Sequence, residues 1–285
     1  MLSELELVID AKATLGEGPC WDSEKQLLYW VDILEKKVHI YNPITNEDKE
    51  ICLGSVVPSE SGEMILALEN GFYFLNSDTE ELQAICDPES HLQENRFNDG
   101  KYDPAGRFWA GTTDAVGIDG KGALYCLDTD LTVKKKVEHV STSNGLAWSP
   151  DHKYMYFIDT PTRKVVRFDY DSCTGHIENS RDVVVMRKEE GFPDGMTIDE
   201  EGMLWIAHWG GSKVSSWNPM NGEHLLSIPI PALYVTSCTF GGSDLNELYI
   251  TTAKMHTTDA SAGGVFRIKT NIKGCPTYRF NGEVY

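Results

Sequence analysis

Apolar residues in this chain gather in short runs and show no helical spacing. Six runs stand out: LLYWVD at 27–32, MILALE at 64–69, FWAGTT at 108–113, MYFIDT at 155–160, LWIAHW at 204–209 and LYITTA at 248–253. They are rich in aromatic and β-branched residues, which pack well on a pleated surface. With Tyr29, Leu66, Trp109, Tyr156, Trp205 and Tyr249 as anchors, successive runs lie 37, 43, 47, 49 and 44 residues apart. Turn-forming stretches precede most of them (WDSEKQ, DPAGR, SPDHK, DEEGM, GGSDLNE), and a second strand-like run follows (KKVHIYN, GFYFLN, GALYCLD, KVVRFDY, KVSSWNP, GGVFRIK). Repeats of about 40–50 residues with about four short strands each predict an all-β, six-bladed β-propeller with a central channel. The six units use the whole chain, so residues 1–285 are expected to form a single domain. A large β-sandwich is the competing architecture. SELELVI at 3–9 precedes the first unit and is expected to pair with the last one, closing the ring and removing exposed edges. The acidic segment 78–94 is the best candidate for a helical turn or two.

Charge narrows the partners. Lys and Arg number 25 against 44 Asp and Glu, a formal net charge of −19. Phosphate backbones and anionic lipid both require a basic face, so nucleic acid and membrane surfaces are excluded as expected partners. No run of about 18 apolar residues exists to span a bilayer. The opening MLSELELVIDAK has neither a basic region nor a long apolar core, so it does not read as a signal peptide. Seven widely spaced cysteines form no CxxC pair. Free thiols in a cytoplasmic protein are expected rather than a disulfide framework or a zinc knuckle.

Candidate chemistry emerges just upstream of the anchors. Glu17 and Asn144 lie 12 residues before Tyr29 and Tyr156, and Asn98 and Asp194 lie 11 before Trp109 and Trp205. Equal offsets in repeated units mean equal heights, so these four oxygen-bearing side chains are expected to converge around the axis. The other two units place small residues there, Gly54/Ser55 and Ser237/Cys238. Two carboxylates and two amides in one place invite a hard divalent cation such as Ca²⁺, Mg²⁺ or Mn²⁺, with water or substrate completing its shell. The plainer reading is that Asn-Gly and Asp-Gly only form turns. The offsets alone do not separate metal ligands from substrate contacts.

The segments LGEGPCW, RFNDGKYDPAGRFWAGT, SNGLAWSPD, PDGMTID with LWIAHWGG, and TSCTFGG resemble the SMP-30/gluconolactonase family, which includes regucalcin and bacterial sugar lactonases. The likeness runs in order from Glu17 to about Gly242 and is nearer to the bacterial lactonases. It implies a six-bladed propeller that hydrolyses small-molecule sugar lactones, of the gluconolactone kind, to aldonic acids. It implies one divalent metal ion, calcium first, with zinc, magnesium and manganese as alternatives. The resemblance places the metal ligands at Glu17, Asn144 and Asp194 and the substrate contacts at Arg96 and Asn98. Asp194 is then the candidate catalytic base, because a carboxylate at the metal accepts a water proton over a short path. In animal members an acidic loop residue before the GALY segment touches the sugar. Here the loop is DAVGIDGKGALY and that position falls near Ile118, with Asp114 and Asp119 as possible substitutes.

Rival functions are a metal-dependent esterase or organophosphate hydrolase and a non-enzymatic calcium-binding propeller. No GxSxG, Walker or dinucleotide motif occurs. Asp99 reads as a turn residue pointing away from the channel, His208 as a packed histidine and Cys238 as a small packing residue. Most tryptophans read as packing between blades, with Trp209 held open as a carbohydrate platform because it flanks a Gly-Gly pair.

Overall fold

The computed structural model describes residues 2–52, 64–76 and 79–281, which form antiparallel strands and two short turns of 3-10 helix, Thr160–Thr162 and Lys188–Glu190. Consecutive strands pair in meanders. The first comprises Gly16–Asp22, Leu27–Asp32, Lys37–Asn42 and Glu47–Cys52, and the second Met64–Leu68, Gly71–Leu75 and Leu82–Cys86. The third runs through Asn95–Tyr102, Phe108–Asp114, Gly122–Leu127 and Val133–Val140. The fourth holds Ser143–Trp148, Tyr154–Asp159, Lys164–Asp171 and His176–Val185, and the fifth Phe192–Ile198, Leu204–Trp209, Lys213–Asn218 and Glu223–Pro229. The last comprises Tyr234–Gly241, Glu247–Ala253 and Val265–Lys269, completed by Glu6–Ile9 from the start of the chain. A single Trp209–Tyr234 pairing joins the last two meanders into one sheet.

The hydrophobic pattern follows position in the meander. Phe108–Asp114 and Gly122–Leu127 are buried at every residue, because both faces pack on neighbouring sheets. Outer strands are more exposed: Glu223–Pro229 is exposed at most positions, and Val133–Val140 presents Lys134, Lys135 and Glu138, charges that discourage pairing of that edge with another chain. Six apolar clusters fill the spaces between consecutive sheets, and one of them (Trp21, Trp30, Tyr249, Val265) lies between the last sheet and the first.

Two of the turns before the anchors share one device. Asp103 Oδ2 accepts the Trp109 indole N–H and Asp199 Oδ2 accepts that of Trp205, both at 2.9 Å. Each carboxylate also takes backbone N–H groups of its own turn. A turn is thereby fixed to the strand it launches.

The expected pairing of the N-terminal segment is present, with Leu7 opposite Phe266 and Glu6 opposite Arg267. The helical expectation fails. Among the described residues of segment 78–94, Leu82–Cys86 is a strand and the rest form turns and irregular backbone. Leu82 buries itself against Leu75, and strand pairing there satisfies more backbone groups than an isolated helical turn would. Gly54, Ser55 and Asp78 lie outside the described residues.

Candidate active site

Five of the first strands carry one extra residue at the same level. The register with the second strand shifts by one between Glu17 and Cys20, Phe97 and Gly100, Asn144 and Leu146, Pro193 and Met196, and Val235 and Ser237. Such bulges bend a strand and re-aim its side chains. Glu17, Asn98, Asn144 and Asp194 sit at or beside them, which is the structural origin of their matched offsets. The glycine that follows has its own reason. A Cβ on Gly145 would stand 2.8 Å from the Asp194 carbonyl oxygen, and one on Gly195 would overlap Ser237. Only glycine lets the first strands approach this closely.

A directed hydrogen-bond chain links three of these strands. Arg96 Nη1 donates to Asn98 Oδ1 at 2.9 Å, and Asn98 Nδ2 donates to Asn144 Oδ1 at 3.0 Å and to the Ser143 carbonyl at 2.8 Å. Asn144 Nδ2 donates to Thr160 Oγ1 at 2.8 Å, and the Thr160 hydroxyl donates to the Pro193 carbonyl at 2.9 Å, one residue before Asp194. The ends settle the direction, since guanidinium only donates and a carbonyl only accepts. Each amide oxygen therefore accepts from the preceding member of the chain, Asn98 Oδ1 from Arg96 and Asn144 Oδ1 from Asn98. Thr160 orients Asn144; nothing in its sequence context singles it out.

Glu17, Asn144 and Asp194 are buried, while Arg96 and Asn98 are half-buried. Burial, then the neighbouring Asp99 charge, pushes Glu17 above the ordinary carboxylate range. Asp194 is pushed well above it by burial, then by Glu17 and Asp99. Among the described residues neither forms a salt bridge. Arg96 is lowered by burial and feels the Glu17 charge.

The donor set fits a hard cation. Two buried carboxylates stay above their ordinary range although Arg96 and Lys101 oppose the shift at Glu17, among the described residues no cation offsets it at Asp194, and the Asn144 amide supplies a further oxygen. Among the described residues no three His, Cys, Asp or Glu side chains group as a metal cluster, so the Asn144 oxygen would be the third donor. A cavity of about 530 Å³ extends from Asn98, Asp99 and Lys101 along the later halves of the first strands. Tyr278, Arg279 and Phe280 line its far end, where Arg279 pairs with Asp22 and Glu24.

Residues 15–254 match the family model described as the SMP-30/Gluconolactonase/LRE-like region. The chain belongs to this family. It is 41% identical over 288 residues to a Bacillus subtilis protein named "Putative sugar lactone lactonase YvrE", covering 98% of this chain and 99% of that one. It is 38% identical over 295 residues to regucalcin of Oryctolagus cuniculus, with the same coverage of 98% and 99%. Among solved structures, a regucalcin of Agrobacterium tumefaciens described as a calcium-binding protein superposes with a TM-score of 0.90 at 27% identity, covering 96% of each chain.

Asp99 departs from expectation: the bulge breaks strand alternation, so its buried carboxylate lines the cavity and its charge reaches Glu17 and Asp194. Asp114 accepts the backbone N–H groups of Val116 and Ile118 and is committed to its own turn, while Asp119 is exposed. His208 is fully buried between the Glu190 carbonyl and Ser215. Cys238 is buried, its thiol against the Trp205 carbonyl, and burial pushes its pKa up to about 12. Lys101, not singled out by sequence, enters the cavity and donates to the Met196 carbonyl at 2.6 Å.

Proposed function

We propose that this protein hydrolyses sugar lactones to aldonic acids, using one divalent cation held by Glu17, Asn144 and Asp194. The six meanders are the blades of a single six-bladed propeller, a reading supported by the apolar cluster between the last sheet and the first. One observation carries the activity: two buried carboxylates, Asp194 disfavoured by the Glu17 charge, occur with the Asn144 amide that the Arg96–Asn98 pair holds, in a chain of this family. Calcium is the favoured ion because the donors are all oxygen and a regucalcin of this family is described as calcium-binding. The free thiols support a reducing, cytoplasmic setting.

When bound, the cation supplies Lewis acidity that polarises the lactone carbonyl and makes water a better acid. Asp194 takes the proton as water oxygen adds to the carbonyl carbon, since a carboxylate beside the reacting water accepts it over a short path. Collapse breaks the bond from that carbon to the ring oxygen, which takes the proton back from Asp194, leaves as a hydroxyl and opens the ring to the acid. Arg96 has spent one Nη on Asn98 and Phe97, and its remaining N–H groups have no protein partner among the described residues, so they are available to substrate oxygens. Asn98 holds that guanidinium in register with Asn144.

The test is acid release from glucono-δ-lactone at constant, mildly acidic pH, with chelator and then with Ca²⁺, Mg²⁺, Mn²⁺ or Zn²⁺ restored. Chelator should abolish hydrolysis and one ion should restore it, while Asp194→Asn should lose about 10³-fold in kcat with every ion. Chelator-resistant turnover, or a fully active Asp194→Asn, would remove the metal-and-base assignment.

A further inference from the structure

Seven tryptophans divide by what their indoles do. Trp109, Trp205 and Trp217 donate their N–H within the fold, to Asp103, Asp199 and Ser215. Trp21, Trp30 and Trp148 are buried. Trp209 alone is half-exposed, and among the described residues its indole N–H has no protein partner. Its ring stacks on Tyr234 with centroids 4.3 Å apart and planes inclined at 30°. The Tyr234 hydroxyl likewise has no protein partner among the described residues and is half-exposed.

Position matters as much as exposure. Trp209 pairs with Phe192, two residues before Asp194 on the same strand. That places it about 7 Å beyond Asp194 along the strand, on the side away from the cavity lined by Thr197 and Ile198. This exceeds the width of one lactone ring. Phe192 is not an alternative platform, because the Arg163 guanidinium already covers it at 3.7 Å.

The platform is preorganised. Neutral His208 donates its Nδ1–H to the Glu190 carbonyl at 2.7 Å, since a carbonyl only accepts, and receives the Ser215 hydroxyl at Nε2. Ser215 in turn receives the Trp217 indole N–H. The 188–191 turn is thereby tied to the strand carrying Trp209. A Cβ on Gly191 would stand 2.6 Å from the Trp209 carbonyl, so the two backbones touch. An exposed aromatic on a fixed backbone binds with little ordering cost.

We propose that Trp209, backed by Tyr234, is a specificity-determining residue that takes the C–H face of a second sugar ring, so that the site favours lactones of disaccharide aldonic acids. Pyranose C–H groups carry partial positive charge and pack on the negative face of an indole, while the free indole N–H and tyrosine hydroxyl meet sugar hydroxyls. This rests on the lactonase reading and adds the substrate class to it.

Hydrolysis of cellobiono-δ-lactone and glucono-δ-lactone would be compared for the metal-loaded wild type, Trp209→Ala, Trp209→Leu and Tyr234→Ala. Trp209→Leu keeps an apolar side chain on Tyr234 and guards against a folding loss in Trp209→Ala. The ratio of kcat/KM, disaccharide over monosaccharide lactone, should fall about tenfold in both Trp209 variants, through KM, and less in Tyr234→Ala. An unchanged ratio in both folded Trp209 variants overturns the inference, as does a wild type that opens only the monosaccharide lactone; in either case the lactonase reading stands. A wild type that opens neither lactone overturns both.

Discussion

At the scale of single residues, the most instructive side chain is one that does no chemistry. Burial holds the His208 imidazole neutral, with its pKa lowered to about 4, and Lys213 pushes the same way while Glu190 opposes. In the unfolded chain it titrates near 6.5. As pH falls from 6.5 to 4 the unfolded chain takes up a proton that the native state refuses, so stability declines through that window; above 6.5 both states are neutral and the contribution vanishes. The whole effect is about 3 kcal/mol. Urea midpoints measured across this range should fall less steeply for His208→Gln than for wild type. Parallel slopes would show that the imidazole titrates elsewhere.

At the scale of elements, the launching turns do more than reverse the chain. Asp103 is fully buried, and its Oδ2 accepts from the Trp109 indole, the Tyr170 hydroxyl at 2.7 Å and Arg107 Nη1 at 3.2 Å. Arg107 continues to the carbonyls of Ser172 and Cys173 in the next meander. One carboxylate therefore joins a turn, its strand and a neighbouring sheet. Asp103→Asn presents an N–H₂ group to donors that need an acceptor and should cost about 3 kcal/mol in urea unfolding. A loss under about 1 kcal/mol would mean that solvent replaces these bonds. The first strands show the same economy: their bulges both crowd the strands together and turn oxygen-bearing side chains to one level.

At the scale of the whole molecule, the two chain ends do different work. Glu6–Ile9 covers the edge of Val265–Lys269, reinforced by the Arg267–Glu6 ion pair at 2.6 Å. Deleting residues 2–9 exposes that edge, leaving unpaired backbone groups that can template association. The truncated protein should melt about 10 °C lower and elute as concentration-dependent oligomers in size-exclusion chromatography. A monomer of wild-type stability would show that the strand is dispensable. The C-terminal residues Tyr278, Arg279 and Phe280 instead line the far end of the cavity, where Arg279 pairs with Asp22 and Glu24.

The sequence by itself determined the strand runs, their repeat and the family, because alternation, β-propensity and turn residues are local signals. It also marked Glu17, Asn98, Asn144 and Asp194, because repetition converts equal offsets into equal heights. Simple alternation turns Asp99 away from the channel, because it cannot anticipate the inserted residue that brings this carboxylate to the cavity. Thr160 and Lys101 were invisible, because one acts through an amide on another strand and the other through a cavity. Only the tertiary structure decided the direction of the amide chain, the disfavouring of Asp194 by the Glu17 charge and the exposure of Trp209. Each depends on which strands lie side by side, and that is set by packing between sheets far apart in the chain.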